Sequence, residues 1–451
     1  MMFPWLAHGH ISPFLQLSKK LTQRNFKVYF CSTAINLSFI KKNFAEDLTD
    51  NLIELVEFHL PELPQLPPHY HTTKDLPSHL MSTLLESFQN AKPSFSNILN
   101  NLNPDLLIYD GFQTWAPKLA AMNNIPCVHF LTSGAATMSS YYHQHIYGIG
   151  SDTYPFSGIF QTEYERKKVK ELYESNRDLE EVVARCFELS SEFVLMKSSR
   201  EVEGKYLDYL SSLCGKKMVT IGPLIQESNH NIDQNNSDHV DIIKFLNKKD
   251  QSSVVFVSFG SEYFLSKEER EEIAYGLQLS DVNFIWVVRF PVGTKVGTIQ
   301  EALPEGYLEK VKERGMVVDG WAPQAKILEH SSTGAFVSHC GWSSAMESLH
   351  YGVPLIAMPI QFDQPTNARL MVEIGVGMEV LRDENGKFKR EEIARVIKLV
   401  ALEKNGEGIR GKARELSKKL RLKGEEELDE ALDELWNLCS KNKQQVNQRP
   451  S

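Results

Sequence analysis

Short apolar runs closed by Gly, Ser, His or Asp alternate with amphipathic stretches of roughly a dozen residues along most of the chain, the pattern of βαβ units in a parallel sheet. In the first half it predicts strands over 1–6, 27–31, 106–109, 127–130 and 193–196, with helices in the gaps. The stretch QESNHNIDQNNSD (226–238) is polar and lacks apolar periodicity beyond Ile232, so it reads as a linker. The pattern then restarts, with strands predicted over 253–259, 284–288, 316–318, 335–338 and 354–358. Two α/β domains are expected, over 1–225 and 240–425, joined by a linker over 226–239. From Arg390 to Leu438 the sequence is charged with helical period, and the closing KNKQQVNQRPS, with nothing to bury, is expected to fray.

Composition narrows the function. A chain of 451 residues is too long for one ordinary core of roughly 100–200 residues. Forty-nine Lys+Arg against 58 Asp+Glu leave a net charge of −9, which argues against nucleic acid as a partner and requires any anionic ligand to find a local cage of donors. The six cysteines, at 31, 127, 186, 214, 340 and 439, form no C-x-x-C pair, so neither a disulfide framework nor a zinc finger is indicated. No apolar run approaches the roughly 18 residues that span a bilayer, and MMFPWLA lacks a basic leader, so a cytoplasmic location without membrane insertion is expected.

Open α/β domains bind ligands beyond the carboxyl ends of their strands, so residues just past each strand carry the candidate chemistry. The first predicted strand is followed by Ala7, His8, Gly9 and His10, then by Ser12 as a helix N-cap and Pro13 in the first turn. His10 would sit between strand and helix, where the positive helix end disfavours imidazolium and keeps the ring a base near neutral pH. In DLLIYDGF, Asp110 follows another strand of the same sheet, where its carboxylate could accept the Nδ1 proton and leave Nε2 basic. Singly, a loop His bonded to backbone and a turn Asp are the plainer readings; only the pair points to a general base.

In the second half, SVVFVSFGSE ends a strand at Gly260 and Ser261, where a backbone amide and a hydroxyl could meet a phosphate, and Ser266 to Glu269 reads as a capping box. The strand AFVS leads into His339, Cys340, Gly341, Trp342, Ser343 and Ser344 and then a helix, aiming an imidazole, two hydroxyls and a helix N-terminus at one spot. That suits a diphosphate held without metal, and an ordinary strand-to-helix turn has the same outline. GEGIRGKA (406–413) lacks both the Ser or Thr and the preceding strand of a phosphate loop. The pairs His69/His71 and His143/His145 lack further ligands at metal spacing.

The stretch from Trp321 to Gln364, WAPQAKILEHSSTGAFVSHCGWSSAMESLHYGVPLIAMPIQFDQ, resembles the donor-binding signature of plant family 1 UDP-glycosyltransferases. The likeness runs from FPWLAHGHISPF through LIYD and SFGSE to the closing helices. It implies the GT-B fold: α/β, two facing Rossmann-like doubly wound domains with an interdomain cleft, and a C-terminal helix over 426–451 packing back toward the first domain. It also implies an inverting, metal-independent hexosyltransferase using UDP-glucose. By position, Trp321 would stack on uracil, Gln324 would contact the nucleoside and Glu347 would bind the ribose hydroxyls. His339, Ser344 and Ser261 would hold the phosphates, with Gly260, Gly341, Trp342 and Ser343 around them. Asp363 and Gln364 would accept from and donate to sugar hydroxyls, and Thr132 would lie near the 6-hydroxyl. Three departures stand out: Ser343 replaces the usual Asn, His8 replaces a common aromatic, and the chain opens inside the family's first strand.

The segments HTTKDLP, SSREVEGKYLDYL, SFGSEYFLSKEE and FIWVVRFP are similar to the branch that adds a sugar to the sugar of a natural-product glycoside. A β-1,6 link is favoured, because a primary hydroxyl is the least hindered nucleophile, with β-1,2 as the rival. Transfer to an aglycone hydroxyl and a catalytically silent UDP-sugar binder are the other readings. A Rossmann oxidoreductase is disfavoured, since neither GIGSDT nor GVGMEV completes a glycine fingerprint. A monomer is expected.

Overall fold

The computed structural model describes residues 1–43, 52–148, 151, 153–168, 179–225, 237–260, 263–290 and 298–447. Most of the predicted linker (226–236), Ser261 and the last four residues (448–451) lie outside them. The chain forms two compact units, one of residues 1–154, 170–224 and 423–451, the other of 155–169 and 225–422.

The first unit is built on seven parallel strands, β1 (Met2–Phe3), β2 (Val28–Ser32), β3 (Ile53–Glu57), β4 (Leu107–Tyr109), β5 (Cys127–Leu131), β6 (Phe193–Met196) and β7 (Lys217–Thr220), in the order β3-β2-β1-β4-β5-β6-β7. Alternate residues feed two cores, which explains why the central strands read as unbroken apolar runs. Met2, Ile108, Val128 and Phe130 pack with Ile11, Phe14 and Leu17 of the first helix, while Phe3, Leu107 and Tyr109 pack with Phe58, Phe88, Phe95 and Trp115. Leu428, Ala431, Leu432, Leu435 and Leu438 of the last helix complete the first of these cores.

The second unit holds six parallel strands, β8 (Val254–Ser258), β9 (Asn283–Val288), β10 (Gly315–Asp319), β11 (Thr333–Ser338), β12 (Leu355–Ala357) and β13 (Gly377–Glu379), in the order β10-β9-β8-β11-β12-β13. Its core gathers Val255, Val257, Phe284, Trp286, Ala335, Val337 and Ile356. The capping box is present, with Ser266 accepting from the Glu269 amide and Glu269 accepting from the Ser266 amide.

Three expectations need correction. The first helix, His8–Thr22, starts well before Ser12: the Ala7 carbonyl accepts from the amides of His10 (3.0 Å) and Ile11 (2.9 Å), so Pro13 lies inside the helix and the first strand ends at Phe3. The residues after 440 do not fray at once, because the last helix runs from Glu407 to Asn447, with Lys441 paired to Glu192 and Lys443 to Asp105. The predicted linker yields its last residues to the helix Ser237–Asn247. No helix among the described residues is long and apolar enough to cross a membrane.

Candidate functional site

In the first unit, register brings the catalytic candidates together. Phe3 pairs with Tyr109, so the chain leaving β1 runs beside the chain leaving β4. The Trp5 amide donates to Asp110 Oδ2 (3.1 Å), the Gly111 amide to Oδ1 (2.6 Å), and His10 Nδ1 lies 2.8 Å from Oδ2. A carboxylate only accepts, so Nδ1 carries the proton and Nε2 the basic lone pair. The His10 side chain is 25% exposed and that of Asp110 is 4% exposed, so substrate can reach the imidazole while its partner is sealed. His10 is the third residue of its helix, within the first turn.

Burial pushes the Asp110 carboxyl up, but the His10 charge, the His10 hydrogen bond and the Trp5 amide outweigh it and hold it below the usual range. Thr132 Oγ1 is 3.3 Å from His10 Nδ1, and Trp5 stacked on Phe112 forms an apolar wall that meets the His10 ring edge-on.

Two residues beneath this group were not singled out in the sequence. His129, inside β5, has Nδ1 3.3 Å from the Tyr109 carbonyl, and burial pushes it down to about 4 against the pull of Asp110. Glu203 caps the helix Ala135–Tyr147 that follows Thr132, accepting from the amides of Ala135 and Ala136 (2.8 Å each) and from Ser198 Oγ (2.5 Å). Burial pushes its carboxyl up to about 7 against those three donors. The only signal for either was a polar residue within an apolar run or helical stripe.

In the second unit, the turn after β11 carries the phosphate candidates. Cys340 has φ +63°, costly for a residue with a Cβ, and is held by Asn367 Nδ2 donating to its carbonyl (3.0 Å) and by its own amide donating to Ser338 Oγ (3.1 Å). Gly341 caps the helix Trp342–Tyr351, whose first amides, including those of Ser343 and Ser344, lack intrahelical carbonyls. Two glycines approach the Cε1–Nε2 end of the His339 ring: a Cβ at Gly260 would stand 2.6 Å from its Cε1, and one at Gly341 2.8 Å from its Nε2. Burial pushes His339 down to about 4, and its buried Nδ1 has no hydrogen-bond partner within the protein. A ring kept neutral, an unmet buried nitrogen and two missing side chains fit an anion brought close to the backbone.

Around this turn, Gln324 Nε2 donates to Glu347 Oε2 (2.6 Å) and lies 3.2 Å from Ser344 Oγ, orienting the carboxylate proposed for ribose. Trp321 is 62% exposed, its indole face open to a planar base. Asp363 Oδ2 accepts from Asn367 Nδ2 (2.9 Å), so Asn367, unremarked in the sequence, ties the phosphate turn to the sugar-side carboxylate. Two expectations change here. Trp342 is only 3% exposed, its indole packed inward at the start of the helix, so only its backbone amide can face a donor. The Gln364 carbonyl accepts from the amides of Ile360 and Gln361 (3.0 Å each), so this side chain can donate to a sugar hydroxyl but not accept from one. Among the described residues no group of His, Cys, Asp and Glu side chains could hold a metal ion, and His143 instead bonds Tyr209 and Thr153.

The buried histidines set an acid limit on stability. An unfolded His binds its proton near 6.5, whereas His129 folded does so only near 4. That part of the stability is therefore full above pH 6.5 and lost as pH falls toward 4, at about 1.4 kcal/mol per pH unit. His129→Asn is expected to flatten the fall of urea-unfolding free energy between about pH 6.5 and 4.5 by that slope.

A model of the glycosyltransferase N-terminal domain matches residues 1–226, and that of the UDP-glucoronosyl and UDP-glucosyl transferase family matches residues 223–405. A UDP-glucosyltransferase 29 of Panax ginseng is 53% identical over 98% of this chain and 97% of its own. The chain belongs to the plant family 1 UDP-glycosyltransferases. Another member, the beta-D-glucosyl crocetin beta-1,6-glucosyltransferase of Gardenia jasminoides, is 50% identical over 99% of this chain and 100% of its own. Glycyrrhiza uralensis UGT73P12, solved with glycyrrhetinic acid 3-O-monoglucuronide, matches with a TM-score of 0.83 over 99% of this chain and 96% of that one, at 23% identity. The fold is GT-B, and this UDP-glycosyltransferase uses a UDP-sugar donor and a small-molecule acceptor.

Proposed function

We propose that this UDP-glycosyltransferase transfers glucose from UDP-glucose, with inversion, to a sugar hydroxyl of a plant natural-product glycoside. His10 Nε2 takes the proton of the acceptor hydroxyl as that oxygen attacks the anomeric carbon, and UDP departs from the opposite face, turning an α-linked donor into a β-linked product. Asp110 holds the Nδ1 proton and offsets the imidazolium charge that forms. The residues from Trp321 to Gln364, with Gly260 and Ser261, take the UDP-sugar. We place the reaction in the cytoplasm and assign it to a monomer.

The observation that carries the chemistry is the 2.8 Å contact of His10 with a buried Asp110, which a silent binder has no use for. The sugar-on-sugar reading, with β-1,6 ahead of β-1,2, draws support from the Gardenia jasminoides relative, whose name states that linkage on a glucosylated acceptor. The test is mass spectrometry of products from UDP-glucose with matched mono-glucosides and aglycones. A gain of one hexose on the glucosides alone is expected, and a gain on the aglycones alone would reject the acceptor class. Methylation analysis of the product then distinguishes a 6-linked from a 2-linked inner glucose.

A further inference from the structure

The turn that carries Thr132 to its place beside His10 spans only Thr132 to Gly134, between β5 and the helix Ala135–Tyr147. Both of its ends are held by one stretch of chain, residues 197–203. At the start of the turn, the Lys197 amide donates to the Leu131 carbonyl (3.0 Å). At its end, the Glu203 carboxylate accepts from the Ala135 amide through one oxygen and from the Ala136 amide through the other (2.8 Å each).

A helix N-terminus is commonly capped by its own neighbour, a Ser, Thr, Asn or Asp at the N-cap. Here the N-cap is Gly134, which has no side chain to offer. The cap comes instead from a distant carboxylate that is wholly buried, and burial pushes it up to about 7 in spite of the two amides and Ser198 Oγ that donate to it. A hydroxyl at position 134 would close the helix without burying a charge, so stability alone gives no reason for this arrangement. The helix that brings the carboxylate, Arg200–Cys214, departs from helical geometry at Glu203 itself, with φ −124° and ψ 17°. The start of that helix is held in turn by Glu427 of the last helix, which accepts from the Arg200 amide (2.8 Å) and from Ser199 Oγ (3.1 Å).

We propose that Glu203 is a positioning residue of the transfer reaction, holding the start of the helix Ala135–Tyr147 so that Thr132 stays against the His10 ring. The proposal rests on the reading of His10 as the base. Glu203 itself is sealed from substrate and acts through Thr132, whose Oγ1 lies 3.3 Å from His10 Nδ1. With the Leu131 carbonyl and two helix amides fixed, so short a turn leaves the hydroxyl little room to swing away. A reacting group misplaced by about 1 Å can lose about 100-fold in rate.

A double-substitution cycle, read as kcat for sugar transfer from UDP-glucose, separates this role from a purely structural one. In Glu203→Gln an NH₂ faces one of the two helix amides, so a bond is lost while the size of the side chain is kept. Its kcat is expected to fall about tenfold or more. In a Thr132→Val background the same substitution is expected to change kcat by no more than about twofold, because the group through which it acts is already gone. Equal losses in both backgrounds would overturn the proposal and leave Glu203 as a helix cap. A kcat within about twofold of the unaltered enzyme for either single variant would overturn it as well. If Glu203→Gln does not fold, Glu203→Asp, which keeps the charge but is too short to hold both amides, decides by the same cycle. Should the unaltered enzyme transfer no sugar, the proposed function fails and this role with it; should it transfer, only the role of Glu203 is at stake.

Discussion

His10→Ala is expected to slow sugar transfer by about 10²- to 10⁴-fold while UDP binding, followed by calorimetry, stays unchanged. The His10 side chain is partly exposed at the start of a helix, and alanine is the best helix former, so removing the ring leaves the fold intact. What disappears is the proposed proton acceptor, whose ring Asp110 holds at 2.8 Å. Asp110→Asn should behave differently, because this carboxylate takes N–H groups from Trp5, Gly111 and His10. An amide in its place turns an NH₂ toward at least one of those donors, so transfer and thermal stability fall together. Transfer by His10→Ala within about threefold of the unaltered enzyme would show that another group removes the proton.

Gly260→Ala is expected to cost about 1–3 kcal/mol of stability and about tenfold or more in UDP affinity. Two effects add. Gly260 has φ +74°, a region that L side chains rarely adopt. The new Cβ would also stand 2.6 Å from Cε1 and 2.7 Å from Nε2 of His339. Relief requires a shift of the His339 ring or of the turn that carries Cys340 and the first amides of the helix Trp342–Tyr351. Denaturant unfolding and calorimetry report the two losses, and unchanged UDP binding would disconnect His339 from the phosphates.

How much of this was legible depended on burial. The central strands could be read because both faces are covered, which makes them continuous runs such as SVVFVS and AFVS. The edge strands β3 and β7 were missed: two glutamates interrupt the apolar residues of Ile53–Glu57, and Lys217–Thr220 is short and begins with an exposed lysine. β13, also at an edge, is only three residues long. The start of the first helix was misjudged because Ser12 and Pro13 look like a beginning, whereas the Ala7 carbonyl, with no side-chain signal, already closes the first turn. At the candidate site, residues just past central strands could be named from the sequence, namely His10, Asp110, Gly260 and His339. Those acting through a second residue, such as Asn367 and Glu203, were not, since their meaning lies in partners distant in sequence or contributed by backbone.

The last helix has a consequence for how the protein is made. Its residues from 423 onward belong to the first unit, and Leu428 to Leu438 fill the same interior as Met2, Phe14 and Phe130. Met2, Phe14 and Phe130 must therefore wait for residues 428–438 before their interior is watertight, while the second unit draws its own interior from earlier sequence. Order of synthesis and order of completion are inverted, so a nascent chain interrupted before residue 428 exposes apolar surface in the half that bears His10.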